Sequence, residues 1–573
     1  MNLVKKCFRT PIIVLVCFSF LLQVGMVQAA NRPTTMAPHG MVVTPHYLAS
    51  EAAIRVLENG GNAAEAAIAA ASTISVVYPH MNSIGGDNFW LIYNAKTGHL
   101  KGLNASGRAG EKATIEYYKS LGYSKIPARG YLAANTVPGA ISGWWEIYNY
   151  SRNSMNGKLK WSGLLNSAID YAENGLPVTP SQEFWTKVNI NPNDTQFRDL
   201  QRFEGFRSIY LKQDQTPYRV GELFKQADLA NTLKIVAQQG ADGFYKGQIA
   251  QKIVSELEAN GGVLTLSDFA THKADWVDPL SVDYRGYKAY NLPPNTQGMA
   301  SLSILNILNN YDIKSMGEGT ADYYHTIVEA TKQAFADRDK WLTDPAFVKI
   351  PVNELLSKEH GIALANRMDM QKAATDVKPL DPKGDTVWIG IVDKEGNAVS
   401  LIQSIYHDYG SGIIPKGTGV ILQNRGSFFS LDSSNINHLE PHKRTFHTLN
   451  PAMLMKDNKP YLVYGTMGGE GQPQTQAAIV TRIVDFEFNV QDAIEAPRWL
   501  HGRTWGASSN DLKIEGRVPQ QVIEELVRRG HPVKVIEGYT DVMGHAGAIL
   551  INHDNNIKYG GADPRGDGAA LGY

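Results

Sequence analysis

The chain has 573 residues, 43% of them hydrophobic and 19% charged, with a formal net charge of −1. This composition supplies a large core and excludes a wholly disordered protein, and the near-zero charge leaves no basic footprint for nucleic acid or an anionic membrane surface. Length alone allows three or four domains of roughly 150 residues, though large layered α/β arrangements absorb more.

Lys5, Lys6 and Arg9 precede the apolar run "PIIVLVCFSFLLQVGMV" and the small-residue stretch "VQAA". This pattern is a secretory signal peptide over residues 1–30, with a membrane anchor as the alternative. Its removal takes away three basic residues and no acid, so the mature chain carries −4. Both cysteines, Cys7 and Cys17, leave with it, so the mature protein works without thiols or disulfides. The expected location is the periplasm or the medium, with no stable membrane span after signal removal.

The stretch "LASEAAIRVLENGGNAAEAAIAAA" predicts two Ala-rich helices broken at Gly60 and Gly61. "DNFWLIYNAKTGHLKGLNASGRAG" then predicts two strands, a hairpin turn and a polar loop holding Arg108. Residues 130–380 are mostly helical by their three-to-four spacing, with a short strand pair in "VDPLSVDYRGYKAYNLPPNTQG". From Thr386 onward strands dominate: "TVWIGIVD", "AVSLIQSIY", "GTGVILQN", "AMLMKDNKPYLVYGT" and "HAGAILINHDNNIKYGGADP". Strand runs at both ends around a helical middle, with no linker between, predict an α+β layered fold.

The hairpin "DTVWIGIVDKEGNAVSLIQS" turns at "DKEGN", where Gly396 and Asn397 suit positive φ. Centred on Glu395, it places Val392 opposite Ala398 and Thr386 opposite Ser404. Facing Cβ atoms lie about 4.5–5.5 Å apart, so the two hydroxyls are within reach. One reading is a Thr–Ser pair closing the open end of a hairpin. The other is chemical: an N-terminal Thr carries nucleophile and base together, because its α-amine, of pKa near 7.7–8.0, accepts the hydroxyl proton. That second role requires scission of the Asp385–Thr386 bond.

Nearly the whole mature chain resembles the gamma-glutamyltransferase family of self-processing N-terminal nucleophile hydrolases. The likeness rests on the helix pair with "SIGGDNFWLIY", on "AFADRDKWLTDP" and on the hairpin. It continues through "GTGVILQNR", "GTMGGEGQPQT", "EAPRW" and "GGADPRGDGAALGY". The resemblance implies a four-layer αββα sandwich, made of a large fragment 31–385 and a small fragment 386–573 that stay associated after self-cleavage. It assigns Thr386 as nucleophile, Ser404 as the hydroxyl that orients it, Gly468 and Gly469 as the oxyanion hole, and Arg108 as the grip on a substrate carboxylate. It implies no cofactor and no metal, and it names an amide as substrate with water or an amine as acceptor.

The chain departs from the family pattern where glutathione-type substrates are held by their α-amine. "LQNRGSFFSLD" puts Arg425, Gly426 and Phe428 in place of acids and amides, and "KRTFHTLNP" puts His447 and Thr448 where paired serines are usual. The pattern is similar to the cephalosporin-acylase-like branch, and Arg425 favours an acidic or neutral acyl group such as glutaryl. About 14 residues between Phe428 and Lys443 leave no room for a long lid, which predicts an open pocket. His442 and His447, five apart with no carboxylate partner, do not make a metal site. Three functions follow: a gamma-glutamyl hydrolase or transferase, an acidic-acyl amidase on the same machinery, or a binding protein that kept the fold without the activity.

Overall fold

The computed structural model describes residues 32–194, 197–375, 385–502 and 509–573, so the expected leader, 1–30, lies outside the described residues. Thr34–Tyr573 form one compact unit.

Two seven-stranded sheets organise it, and every neighbouring pair of strands within them is antiparallel. From edge to edge, the first runs Thr35–Ala37, Ile557–Ala562, Ala546–Asn552, Lys459–Thr466, Ala452–Lys456, Tyr287–Asn291 and Leu280–Tyr284. The second runs Ala569–Gly572, Met41–Thr44, Asp385–Val392, Ala398–Tyr406, Asp87–Asn94, His99–Ala105 and Asp275–Val277.

Alternation along the strands shows how the layers stack. In the second sheet Phe89, Leu91, Trp388, Val392 and Ile402 enter a core shared with Met453, Val463 and Ile549 of the first sheet. Their neighbours Trp90, Ile92, Val387, Ile389, Ile391 and Leu401 face the other way, into a helical core that includes Ala63–Val77. The first sheet likewise turns Leu454, Leu462 and Tyr464 toward the helices Gly298–Leu308, Ala321–Trp341 and Gly471–Val484. Helix, sheet, sheet, helix is the four-layer α+β sandwich expected from the sequence.

The Ala-rich segment folds as two helices, Tyr47–Glu58 and Ala63–Val77. Asn62 and Glu65 form a reciprocal capping box that restarts the chain after the glycine turn. Fifteen consecutive buried residues, seven of them alanine, let the second helix lie close on the sheet.

One expected strand is absent. "GTGVILQN" makes only an isolated bridge, Gly85 to Leu422, because Gly410, Gly412, Gly417 and Gly419 all take positive φ and coil the segment. This coil still serves the fold by wrapping the end of the central hairpin: the Gln423 amide donates to the Gly85 carbonyl at 3.0 Å, and the Asn424 amide to the Ile405 carbonyl at 3.2 Å.

The sheets meet at Trp388, whose indole N–H donates to Ser400 Oγ at 2.9 Å. Only glycine fits opposite: a Cβ on Gly465 would lie 2.1 Å from the ring, and one on Gly547 2.5 Å. Gly465→Ala is therefore expected to destabilise the protein by about 1–3 kcal/mol, the usual cost of overpacking a rigid core. Gly163→Ala, where a Cβ meets nothing within 4 Å, should cost nothing. Thermal melts of the two variants check the contrast, and equal melting temperatures would contradict it.

Candidate active site

The central hairpin follows the expected register from Val392↔Ala398 to Val387↔Gln403. Gly396 alone takes positive φ in its turn, at 86°; Asn397 instead donates its amide N–H to Asp393 Oδ1 at 2.9 Å. At the open end the register shifts. Asp385 pairs with Tyr406, so the single residue Thr386 lies across from both Ser404 and Ile405, a β-bulge. Thr386 and Ser404 are buried at 0% and 1% exposure. Both share the parity of Trp388 and Ile402, which face the gap between the sheets. Ser404 Oγ accepts the Tyr406 amide N–H at 2.8 Å, fixing the hydroxyl beside the bulge.

From the opposite sheet, the strand Lys459–Thr466 passes Trp388 at Gly465 and ends in Met467–Gly468–Gly469. Gly468 and Gly469 have φ of 119° and 51°, and the first of these is a conformation essentially only glycine adopts. The Met467 carbonyl accepts Thr466 Oγ1 at 2.7 Å, and the Gly468 carbonyl accepts the Gly471 amide at 2.7 Å. In a trans peptide the N–H lies opposite the C=O. The Gly468 and Gly469 N–H groups are therefore each turned away from the donor that holds the preceding carbonyl.

Asp87, in the strand beside Ser404, gathers the surrounding loops. Its Oδ1 accepts from Gly107 N at 2.9 Å, Gly139 N at 3.2 Å and Gln423 Nε2 at 2.9 Å, and its Oδ2 lies 3.2 Å from His447 Nε2. Burial pushes its carboxyl up to about 6, against the pull of those hydrogen bonds and of Arg425. His447 is held neutral, well below the usual imidazole range, by burial and then by Arg425 and Arg444.

Arg425 is 1% exposed. Its guanidinium lies 4.1 Å from the Tyr406 ring centroid, and its Nη1 donates to Thr448 Oγ1 at 3.2 Å. Among the described residues its Nε and Nη2 have no hydrogen-bond partner, and burial lowers it to about 10. The sequence-selected Arg425, His447 and Thr448 thus converge with Thr386 and Ser404 around Asp87 and Tyr406. Phe428 lies tilted between Tyr406 and Phe446, with ring centroids 5.0 and 4.7 Å away, and its ring is 5.7 Å from the Arg425 guanidinium.

Arg108 is differently engaged. It is half-buried and its Nη2 donates to Asp275 Oδ2 at 2.7 Å, an oxygen shared with Arg444 Nη1 at 2.7 Å. Burial pushes the Asp275 carboxyl up, but Arg444 and Arg108 outweigh it and hold the group below its usual range. Asp344 Oδ2, which accepts the Arg444 amide N–H at 2.7 Å, supplies a second carboxylate beside the two guanidinium groups.

Sequence reasoning did not single out Asp87 or Gln297. Asp87 sits in "GGDN", directly after a glycine turn and before an apolar strand, which was the available signal. Gln297 lies in the Pro-rich loop "PPNTQG", where its neighbours give no hint of burial.

Among the described residues, His325, Glu329 and His531 bring ligand-type atoms within 4.8 Å of one another. Glu329, however, is already neutralised by buried Lys332 at 2.7 Å, and His325 Nε2 meets the Asp369 carbonyl at 2.8 Å. Lys332 and Glu329 also take both backbone groups of Ala374, so the cluster is a clamp on residues 369–374.

The comparisons agree with this architecture. The gamma-glutamyltranspeptidase family model matches residues 49–573. A glutathione hydrolase-like YwrD proenzyme of Bacillus subtilis is 46% identical over 93% of this chain and 98% of its own length. An oxamate amidohydrolase proenzyme of Klebsiella pneumoniae is 44% identical over 94% of this chain and 99% of its own. The crystal structure of a cephalosporin acylase from Bacillus halodurans superposes with a TM-score of 0.86 at 36% identity, covering 95% of this chain and 97% of that one. The fold and the site thus define an enzyme of the N-terminal nucleophile hydrolase class. The chain belongs to the gamma-glutamyltranspeptidase family.

The raised Asp87 carboxyl gives a signed prediction. A buried acid whose folded pKa is above its unfolded value favours folding when protonated. Its contribution is complete below about 3.8 and is lost as pH rises through about 6. Asp87→Asn removes this dependence. The stability of the variant relative to wild type should therefore rise between pH 4 and pH 7, by up to roughly 3 kcal/mol at 1.36 kcal/mol per pKa unit. Denaturant melts at several pH values measure it, and a constant difference would contradict the assignment.

Proposed function

We propose that the chain is a secreted or periplasmic precursor that loses residues 1–30 and cuts itself at Asp385–Thr386. The products are a large fragment, 31–385, and a small one, 386–573, that remain one sandwich. The observation that carries this reading is the bulge: Thr386 sits fully buried at the end of an edge-to-edge paired strand, facing the gap between sheets, with Ser404 across from it. Scission would free an α-amine beside the Thr386 hydroxyl, and the amine would take its proton as Oγ attacks an amide carbonyl. Ser404 orients the hydroxyl. The N–H groups of Gly468 and Gly469 stabilise the oxyanion, the largest single contribution in many acyl transfers. The leaving amine takes the proton from the α-amine, and water or a second amine then resolves the acyl-enzyme by the reverse path. These residues perform the whole sequence without a cofactor.

The general substrate is a small amide of the gamma-glutamyl type, as the names of the glutathione hydrolase relatives support. A second reading is favoured by Arg425. A buried guanidinium with two unpartnered nitrogens is costly unless an anion joins it. A carboxylate on the acyl group fits it through charge-assisted bonds, without any need for an α-amine. The Klebsiella relative, named for oxamate, and the cephalosporin acylase neighbour support a substrate set wider than gamma-glutamyl amides.

Wild type should run as two bands on a denaturing gel, whereas Thr386→Ala should persist as one long chain; normal cleavage of that variant would sink the assignment. On the second reading, a glutaryl anilide should be turned over in preference to the γ-glutamyl compound. Arg425→Gln should lower kcat/KM for the glutaryl anilide by about 10- to 100-fold, the loss of a hydrogen bond to a charged group. A γ-glutamyl preference that Arg425→Gln leaves unchanged would overturn the second reading.

A further inference from the structure

Behind the Gly468–Gly469 turn stands one fully buried amide, Gln297, at 0% exposure. Its Nε2 donates to the Gly469 carbonyl at 2.8 Å and to the Thr448 carbonyl at 2.8 Å. Its Oε1 accepts from Arg338 Nη1 at 3.1 Å. Two carbonyls on one nitrogen and a guanidinium on the oxygen leave the amide a single orientation. Arg338 is held in turn by Glu470 at 3.2 Å and Asp339 at 2.7 Å, so Glu470, the residue that follows the turn, closes the network.

The Gly469 carbonyl has a weaker local hold than the Gly468 carbonyl before it. The Gly468 carbonyl has the Gly471 amide at 2.7 Å, whereas Gly469 receives only the longer Gln472 amide at 3.3 Å besides Gln297. Glycine at φ 51° has no side chain to restrict its ψ, so the plane of the Gly469–Glu470 peptide depends on what grips that oxygen. The same Gln297 nitrogen holds Thr448, whose hydroxyl receives Arg425. A single amide therefore sets the distance between the segment beside Arg425 and the turn.

We propose that Gln297 is a positioning residue for the oxyanion-binding turn. By gripping the Gly469 carbonyl it anchors the far end of the Gly468–Gly469 peptide, so that the turn, whose two N–H planes are set by Thr466 Oγ1 and the Gly471 amide, stays in place before substrate arrives and keeps its position relative to the Thr448 segment. The inference rests on the reading of Gly468 and Gly469 as the oxyanion donors. Preorganised donors are effective because they need no reorientation during the reaction, so a loosened turn costs rate more than binding.

The experiment compares wild type with Gln297→Glu and Gln297→Met, using the processed two-fragment enzyme. Gln297→Glu keeps the size of the side chain and the Arg338 contact but removes both N–H donors. It decides the matter if the methionine variant folds poorly. Each protein is assayed on an anilide substrate and on its thioamide analogue, whose sulfur is a poor hydrogen-bond acceptor. Expected are a kcat lowered by about 10- to 100-fold, less than the loss of a donor outright, with KM changed less than threefold. The amide-to-thioamide rate ratio should fall with kcat, and the melting temperature should stay close to wild type. A kcat within threefold of wild type in a folded variant would overturn the proposal, as would a loss that appears in KM or tracks only the folded fraction. If wild type itself shows no preference for the amide over the thioamide, the oxyanion reading fails, which is a different result from an unaffected Gln297 variant.

Discussion

The contact on which the site depends is the seating of Trp388 against Gly465 and Gly547. An indole wedged where no Cβ fits sets the separation and register of the two sheets at one point. Two residues before Trp388 lies Thr386, and three residues beyond Gly465 begins the Gly468–Gly469 turn. A strand advances about 3.3 Å per residue, so the two groups are carried only about 7 and about 10 Å along the chain from a rigid crossing. Thr386 and the Gly468–Gly469 turn come from different sheets, and the core crossing at Trp388 anchors the strands that lead to both.

Electrostatics arranges the rest of the pocket around an imbalance. Asp87 spends its carboxylate on backbone amides, Gln423 and His447, and stays the nearest compensating charge to Arg425 without forming an ion pair with it. The arginine rests on Tyr406, the residue opposite Asp385 in the hairpin. A positive group left unpaired in a dry site is poised to bind an anion. Replacing acids and amides with a guanidinium here inverts the preference expected of a pocket for an α-amine. Arg108, by contrast, is drawn to Asp275 together with Arg444, so its guanidinium is already engaged by a carboxylate of the chain.

Much of this was readable from the chain. Period-two alternation gave the strands, and a hairpin centred on Glu395 gave the right partners from Val392 down to Val387. The shift at Thr386 was not legible, because the extra residue in a bulge follows from Tyr406 taking φ of 82° under tertiary contacts. "GTGVILQN" misled because its apolar run looks like a strand, while its glycines, placed at left-handed positions, make a wrap. Only the family resemblance points to Arg425, His447 and Thr448, which the fold brings together beside Asp87 and Tyr406. Asp87 and Gln297 stayed hidden, since an isolated polar residue in a sequence carries no sign of how many carbonyls and amides it will satisfy once buried.

The central claim is that Thr386 becomes an N-terminus and carries the acyl group. Mass spectrometry of the mature protein trapped with a slowly turned-over amide tests this directly. The small fragment should begin with the sequence "TVWIG" and gain the mass of one acyl group on its first residue. A fragment that begins elsewhere, or an acyl group found on any residue other than Thr386, would contradict the account.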